Sequence, residues 1–133
     1  MVNNKRHHID SEHKNMSIVL IVEETEGIRD YVKHHVLDWG HTVLEAGIGA
    51  IVAIRELRPD LVVIDPELPD MCGFDAVDLI QKDETTANMP VIALTALNSA
   101  EGRQKAADAK FAHYLTKPII DIHELRVSMR LHL

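Results

Sequence analysis

The segment Leu61–Asp65 reads LVVID, a run of four apolar residues that ends at an acid. A short run that is apolar throughout is typical of a strand buried on both faces, as in a parallel sheet. The same pattern occurs at Ile18–Glu24, which reads IVLIVEE, and at Val91–Thr95, which reads VIALT and ends at a hydroxyl. These three segments predict buried parallel strands with polar residues at their carboxyl ends.

Amphipathic helices are predicted between the strands. After the first strand, Thr25 is a candidate N-cap, apolar residues follow at helical spacing as far as Trp39, and Gly40 marks the end. Five strands and five helices alternate in this way, which predicts an α/β protein with a doubly wound parallel sheet. The other strands are expected at Val43–Leu44 and Tyr114–Leu115, and the other helices at Ile51–Leu57, Phe74–Ile80, Ser99–Ala109 and Ile122–Leu133.

Composition and charge narrow the class of protein. The 133 residues carry a formal net charge of −7, from 14 basic and 21 acidic side chains, and this balance argues against nucleic-acid binding. No apolar run approaches the roughly 18 residues that a membrane span needs, so no membrane insertion is expected. Cys72 is the single cysteine, which fits a reducing, cytoplasmic location. Residues 1–16 are predicted to be a disordered N-terminal tail, followed by one domain at 17–133.

Charged and polar side chains stand where the predicted strands end. Glu23 and Glu24 follow the first strand, Asp65 follows the third, Thr95 closes the fourth, and Lys117 follows the fifth. In a doubly wound sheet these ends share one edge, where ligands bind. Three carboxylates so close together repel one another unless a cation such as magnesium neutralises part of their negative charge. The set fits phosphoryl transfer to a carboxylate, with a metal, a lysine and a hydroxyl as stabilising groups.

Four motifs occur in order along the chain: IVLIVEE at 18–24, PDLVVIDPELPDMCGFD at 59–75, PVIALTA at 90–96 and YLTKP at 114–118. Together they resemble the receiver domain of two-component response regulators, and the resemblance covers about residues 17–133. It implies a flavodoxin-like fold, with five parallel strands in the order 2-1-3-4-5 and five helices.

The resemblance implies a phosphoacceptor and a magnesium site. Asp65 stands at the position of the phosphoacceptor. Glu24 and Asp65 would be direct magnesium ligands, Glu67 would contribute its backbone carbonyl, and Glu23 would act through a water molecule. The cofactor implied by the resemblance is therefore Mg²⁺.

The resemblance also implies roles for the residues around the phosphoryl group. Thr95 and Lys117 would hold phosphoryl oxygens, and the small Ala96 would leave room for them. Pro118 would follow a cis peptide bond, which has a low free-energy cost only when the next residue is proline. Tyr114 would be the switch aromatic whose burial follows the movement of Thr95.

Three positions depart from the family pattern: Glu24, Lys110, and Cys72 in place of a customary polar residue. Glu24 stands where the family ordinarily has aspartate, and its extra methylene adds on the order of 1.5 Å of reach. Magnesium demands near-octahedral geometry, so weakened magnesium binding is expected. Lys110 stands at a frequent glycine position, where a left-handed backbone would cost a lysine roughly 1 kcal/mol.

The function implied by the resemblance is that of a single-domain response regulator rather than an enzyme. A histidine kinase or phosphotransfer protein would phosphorylate Asp65, and a downstream protein target would respond. Because the sequence stops at Leu133, the signal is expected to leave by protein–protein contact. The output face would be helix 4, strand 5 and helix 5, and a homodimer through the same face is also open.

Two alternatives stay open from the sequence. A degenerate receiver would bind its partners without phosphorylation, with Glu24 as the cause. A metal-dependent hydrolase on a similar sheet ranks lower, because the first strand lacks a nucleophile with a second catalytic acid two residues beyond it.

Overall fold

Strands and helices alternate throughout the part of the chain that the computed structural model describes, residues 17–46, 49–68, 71–96 and 100–133. The predicted tail lies outside these residues. None of the described helices combines the length and apolarity needed to cross a membrane. The strands are β1 (Ile18–Val22), β2 (Thr42–Ala46), β3 (Leu61–Ile64), β4 (Val91–Thr95) and β5 (His113–Thr116). The helices are α1 (Glu26–Asp38), α2 (Ala50–Leu57), α3 (Gly73–Lys82), α4 (Ala100–Asp108) and α5 (His123–His132).

The five strands form one parallel sheet in the order β2-β1-β3-β4-β5. This order confirms the predicted doubly wound α/β fold. Backbone hydrogen bonds align the strand ends: the N–H of Asp65 donates to the carbonyl of Val22 at 2.9 Å, and the N–H of Lys117 donates to that of Thr95 at 2.8 Å. The residues that follow the strands are therefore held along one edge of the sheet.

Strand side chains point alternately to the two faces of the sheet and build two separate cores. Val19 and Ile21 of β1 belong to a core with α1 and α5, whereas Leu20 and Val22 belong to a core with α2 and α3. Because both faces are covered, the inner strands β1 and β3 are apolar at every position. We call these cores the α1/α5 layer, which contains Val32, Val36, Leu125 and Met129, and the α2/α3 layer, which contains Ala50, Ile54, Ala76 and Ile80.

The segment between β3 and α3 is more regular than predicted. The sequence predicts a loop from Pro66 to Gly73, but Glu67–Leu68 and Met71–Cys72 pair as two short antiparallel strands. Gly73 is the first residue of α3 rather than part of the loop. Strands of two residues are too short for alternation to mark them in a sequence, which explains the difference.

Helix α4 is weakly anchored, as its small residues predict. Its buried residues are Gly102 and Ala106, so it places little apolar area against the sheet. Part of its attachment comes from Lys105, whose ammonium lies 4.5 Å from the centroid of the Phe74 ring on α3. A helix with so few buried apolar contacts is expected to open locally at low free-energy cost.

Lys110 has the strained backbone that its position predicts, since its φ is 65°. Lys110→Gly is expected to raise the free energy of unfolding by about 0.5–1 kcal/mol, because glycine reaches this conformation without a Cβ clash. Urea denaturation would measure the change. Glu101→Gly is the matched control: this exposed position lies inside α4, where glycine should cost about 1 kcal/mol. A loss of stability in both variants would contradict the account of strain at Lys110.

Candidate functional site

One ammonium group joins two carboxylates at the carboxyl edge of the sheet. Lys117 Nζ lies 2.6 Å from Glu23 Oε1 and 2.9 Å from Asp65 Oδ2. The Glu23 side chain is 2% exposed, and those of Asp65 and Lys117 are each 13% exposed. Charges so far removed from water need partners. We call these three side chains the acid–lysine cluster, and it ties the ends of β1, β3 and β5 together.

The two carboxylates also alter the acidity of the lysine. Burial on its own would lower the pKa of Lys117, because it penalises the charged form. The hydrogen bonds and negative charges of Glu23 and Asp65 outweigh this effect and raise the pKa above its ordinary value. Lys117 is therefore a permanent positive charge beside Asp65 at neutral pH.

Glu23 is bound at both carboxylate oxygens. Its Oε2 accepts a hydrogen bond from the backbone N–H of Thr25 at 3.0 Å, and Oε1 faces Lys117. Thr25 occupies the predicted N-cap position of α1, but its side chain makes no capping hydrogen bond. The buried acid therefore interacts with the start of the helix, where negative charge is favoured.

Asp65 is oriented by two different donors. Its Oδ1 accepts a hydrogen bond from the backbone N–H of Glu67 at 2.8 Å, while Oδ2 faces the ammonium of Lys117. The side chain keeps a small exposed fraction. A reactant that reaches this edge of the sheet therefore meets a carboxylate of fixed orientation.

Thr95 and Glu67 form a contact that the sequence does not predict. Thr95 is fully buried, and its Oγ1 donates to Glu67 Oε1 at 3.3 Å. The resemblance implies a backbone role for Glu67 at the metal, and it implies that the side chain at this position tunes the lifetime of the phosphoryl group. The direction of its side chain depends on the path of the chain after β3, which no periodic pattern in the sequence encodes.

The predicted cluster of three metal-binding carboxylates is not assembled in the described residues. No group of three or more His, Cys, Asp or Glu side chains there is placed to hold a metal ion, and Glu24 is exposed. Lys117 pairs with Glu23 and Asp65 and supplies a positive charge to both. Their carboxylate oxygens still belong to the donor class that magnesium prefers.

The remaining predicted residues lie around this centre. The Lys117–Pro118 peptide is cis, as predicted, and Ala96 is exposed directly after Thr95. Tyr114 is half-buried, and its hydroxyl oxygen is buried without a hydrogen-bond partner among the described residues. The Tyr114 ring lines a groove of about 330 Å³ between α4 and β5, together with Arg103.

An apolar groove lies beside Lys117. Its volume is about 370 Å³, and α1 forms one wall with Ile28 and Tyr31 while the segment after β5 forms the other with Pro118 and Ile119. The groove therefore offers a binding surface next to the acid–lysine cluster.

Comparison with known proteins identifies the family of this chain. The response regulator receiver domain matches residues 19–130. The DNA-binding dual master transcriptional regulator RpaA of Synechocystis sp. is 33% identical over 117 residues, which are 86% of this chain and 48% of the regulator. The chain thus spans about half of the length of that relative.

Solved structures agree with this match. The chemotaxis response regulator CheY4 of Vibrio cholerae is 28% identical, with a TM-score of 0.79 over 89% of this chain and 99% of that chain. The receiver domain of sensor histidine kinase PA1611 from Pseudomonas aeruginosa, described with a magnesium ion coordinated in its active site cleft, is 26% identical. Its TM-score is 0.76 over 86% of this chain and 96% of that chain. With the family motifs gathered at one edge of this fold, the chain belongs to the response regulator receiver domain family of two-component systems.

Proposed function

We propose that this protein is a single-domain response regulator that accepts a phosphoryl group on Asp65 from a histidine kinase or a phosphotransfer protein. The observation that supports this most is the 2.9 Å contact between Asp65 Oδ2 and Lys117 Nζ. It places a carboxylate nucleophile beside a permanent cation, and phosphoryl transfer needs both groups together. Cytoplasmic location is part of the proposal, and the single cysteine supports it.

In the proposed reaction Asp65 is the nucleophile. One of its carboxylate oxygens forms a bond to phosphorus, while the bond from phosphorus to the nitrogen or oxygen of the donor breaks and its electron pair leaves with the donor. The negative charge is spread over the phosphoryl oxygens. The ammonium of Lys117 and the hydroxyl of Thr95 would stabilise this charge.

Magnesium would supply further neutralisation of the phosphoryl charge. Glu24, Asp65 and the backbone carbonyl of Glu67 would hold it, with Glu23 acting through a water molecule. The exposed Glu24 side chain must then turn toward the edge of the sheet and become ordered. The lost side-chain entropy supports the expectation of weakened binding.

Glu24→Asp is expected to bind magnesium about fivefold more tightly, because the shorter side chain reaches the metal with fewer rotatable bonds to order. Titration calorimetry with magnesium chloride on the unphosphorylated protein would measure the difference. Glu26→Asp, the same change at an exposed residue of the first turn of α1, should leave the affinity unchanged. Equal affinities for wild type and Glu24→Asp would refute the idea that the extra methylene weakens binding.

The donor protein would dock in the apolar groove beside Lys117. The groove lies next to the acid–lysine cluster, and its walls include Ile28 and Ile119. A kinase or phosphotransfer protein that buried these side chains would bring its phosphorylated residue to Asp65. Apolar burial of this kind supplies association energy without adding charge next to the phosphoryl group.

The output would leave through the face formed by α4, β5 and α5, toward a downstream protein or a second copy of the chain. Three features support this face: α4 is weakly anchored, Tyr114 is half-buried beside it, and Val127 and Leu131 of α5 are 57% and 76% exposed. A small free-energy difference between two arrangements of such a face is enough for phosphorylation to shift their populations.

The experiment is to incubate the protein with magnesium and acetyl phosphate and to weigh it intact by mass spectrometry. A gain of one phosphoryl group supports the proposal. No gain at saturating donor, together with no magnesium binding by calorimetry, would favour the second candidate, a degenerate receiver that binds partners without phosphorylation. The exposed Glu24 is the observation that favours that candidate.

A further inference from the structure

We propose that Arg29 is a positioning residue for the magnesium site: its guanidinium, held by Glu45 of β2, fixes the backbone that carries Glu24. The inference rests on the proposed function, in which Glu24 is a direct magnesium ligand. It extends the site to β2, the strand at the edge of the sheet next to β1.

Both peptide groups that flank Glu24 are held by side chains. The carbonyl oxygen of Glu23 accepts a hydrogen bond from Arg29 Nη1 at 3.3 Å. On the other side of Glu24, the backbone N–H of Thr25 donates to Glu23 Oε2 at 3.0 Å. The two soft dihedral angles of Glu24 lie between these two held groups. The direction in which the Glu24 side chain leaves the backbone is therefore set.

The guanidinium of Arg29 is itself held by the neighbouring strand. Its Nε lies 3.3 Å from Glu45 Oε1, and Lys33 Nζ lies 3.2 Å from the second oxygen of the same carboxylate. Because a guanidinium is planar and rigid, a contact that holds Nε also orients Nη1. Glu45 of β2 thus acts on the turn after β1 through Arg29.

This arrangement reduces the entropy that magnesium binding costs. Glu24 is exposed, so its side chain must become ordered when it binds the metal. With the backbone already fixed, only side-chain freedom is lost, whereas a loose turn would lose backbone freedom as well. The positive charge of Arg29 acts in the opposite direction, since it repels a cation. A test of the positioning role must therefore keep that charge.

Arg29→Lys keeps the charge, but a single ammonium does not reproduce the two contacts that one rigid guanidinium makes to Glu45 and to the carbonyl of Glu23. Titration calorimetry on the unphosphorylated protein should show magnesium binding about three- to tenfold weaker than in wild type, the range that corresponds to the net worth of one hydrogen bond. The matched control is Arg55→Lys on α2, whose Nε lies 3.5 Å from Asp83 Oδ2 in a similar ion pair. Its magnesium affinity should equal that of wild type.

A second readout tests the turn without metal or phosphorylation. In NMR spectra of the metal-free protein, the Thr25 amide resonance should shift and its hydrogen exchange should become faster in Arg29→Lys, with no change in Arg55→Lys. A wild-type magnesium affinity in Arg29→Lys, an equal loss of affinity in Arg55→Lys, or an unmoved Thr25 amide would overturn the role of Arg29 while leaving Asp65 as phosphoacceptor.

The proposed function is tested separately from this role. If wild type binds no magnesium, the positioning role of Arg29 fails together with the magnesium site. The mass of the protein after incubation with acetyl phosphate then decides whether Asp65 is phosphorylated at all.

Discussion

Asp65→Asn is expected to take up no phosphoryl group under conditions in which the wild-type protein takes up one. The substitution keeps the size of the side chain and an oxygen that can accept the Glu67 N–H. It removes the negative charge, and a neutral amide does not attack phosphorus at a useful rate. Intact-protein mass spectrometry after incubation with magnesium and acetyl phosphate would measure the uptake, and circular dichroism would check that the variant folds.

The matched control for this prediction is Asp75→Asn, which neutralises an exposed acid in the first turn of α3. It loses the same charge a short distance along the chain, and it should be phosphorylated like wild type. Uptake of a phosphoryl group by Asp65→Asn would mean that another side chain is the acceptor. The assignment of Asp65 would then be abandoned.

Lys117→Met is expected to lower the free energy of unfolding by about 2–3 kcal/mol, because it leaves two carboxylates in a partly dry site without their counter-charge. Glu23 decides the size of the effect, since its side chain is 2% exposed and its Oε1 has no partner among the described residues other than Lys117. Urea denaturation at neutral pH would measure the loss. The same variant should accept phosphoryl poorly, because the cation beside Asp65 is gone.

A double substitution separates the unpaired charge from the loss of packing. Adding Glu23→Gln to Lys117→Met should recover part of the lost stability, since the most deeply buried charge is removed with its partner. Lys82→Met is the surface control: its ion pair with Asp78 joins side chains that are 72% and 59% exposed, and exposed pairs of this kind contribute little to stability. If Lys117→Met costs no more than Lys82→Met, the acid–lysine cluster does not stabilise the fold.

The sequence predicts the sheet well because its three central strands are buried on both faces. Leu61–Ile64 and Ile18–Val22 are apolar at every position, and a doubly covered parallel sheet explains such runs in a chain with helices between them. The approach of Asp65 and Lys117 follows from that topology, since parallel strands end at one edge. This part of the site needs no knowledge of side-chain conformation.

The sequence does not predict which donor each carboxylate oxygen of the site pairs with, because this pairing depends on electrostatic competition within the folded site. The sequence predicts a metal as the relief for three neighbouring acids, whereas Lys117 pairs with Glu23 and Asp65 and the third acid, Glu24, is exposed. The hydrogen bond from Thr95 to Glu67 depends on the turn at Pro66, whose path no spacing rule records. The partners of these side chains are therefore visible only in the folded structure.

The two-layer arrangement of the core has a mechanical consequence for the site. If the alternation of the strands continues past their ends, Asp65 and Lys117 fall on the side of the α1/α5 layer, as Val63 and Leu115 do. Thr95 falls on the other side, because its neighbour Leu94 belongs to the α1/α5 layer. A phosphoryl group that contacts both Lys117 and Thr95 would link side chains from the two sides of the sheet. The α1/α5 layer and the α2/α3 layer would then unfold locally together rather than separately, which hydrogen exchange would detect.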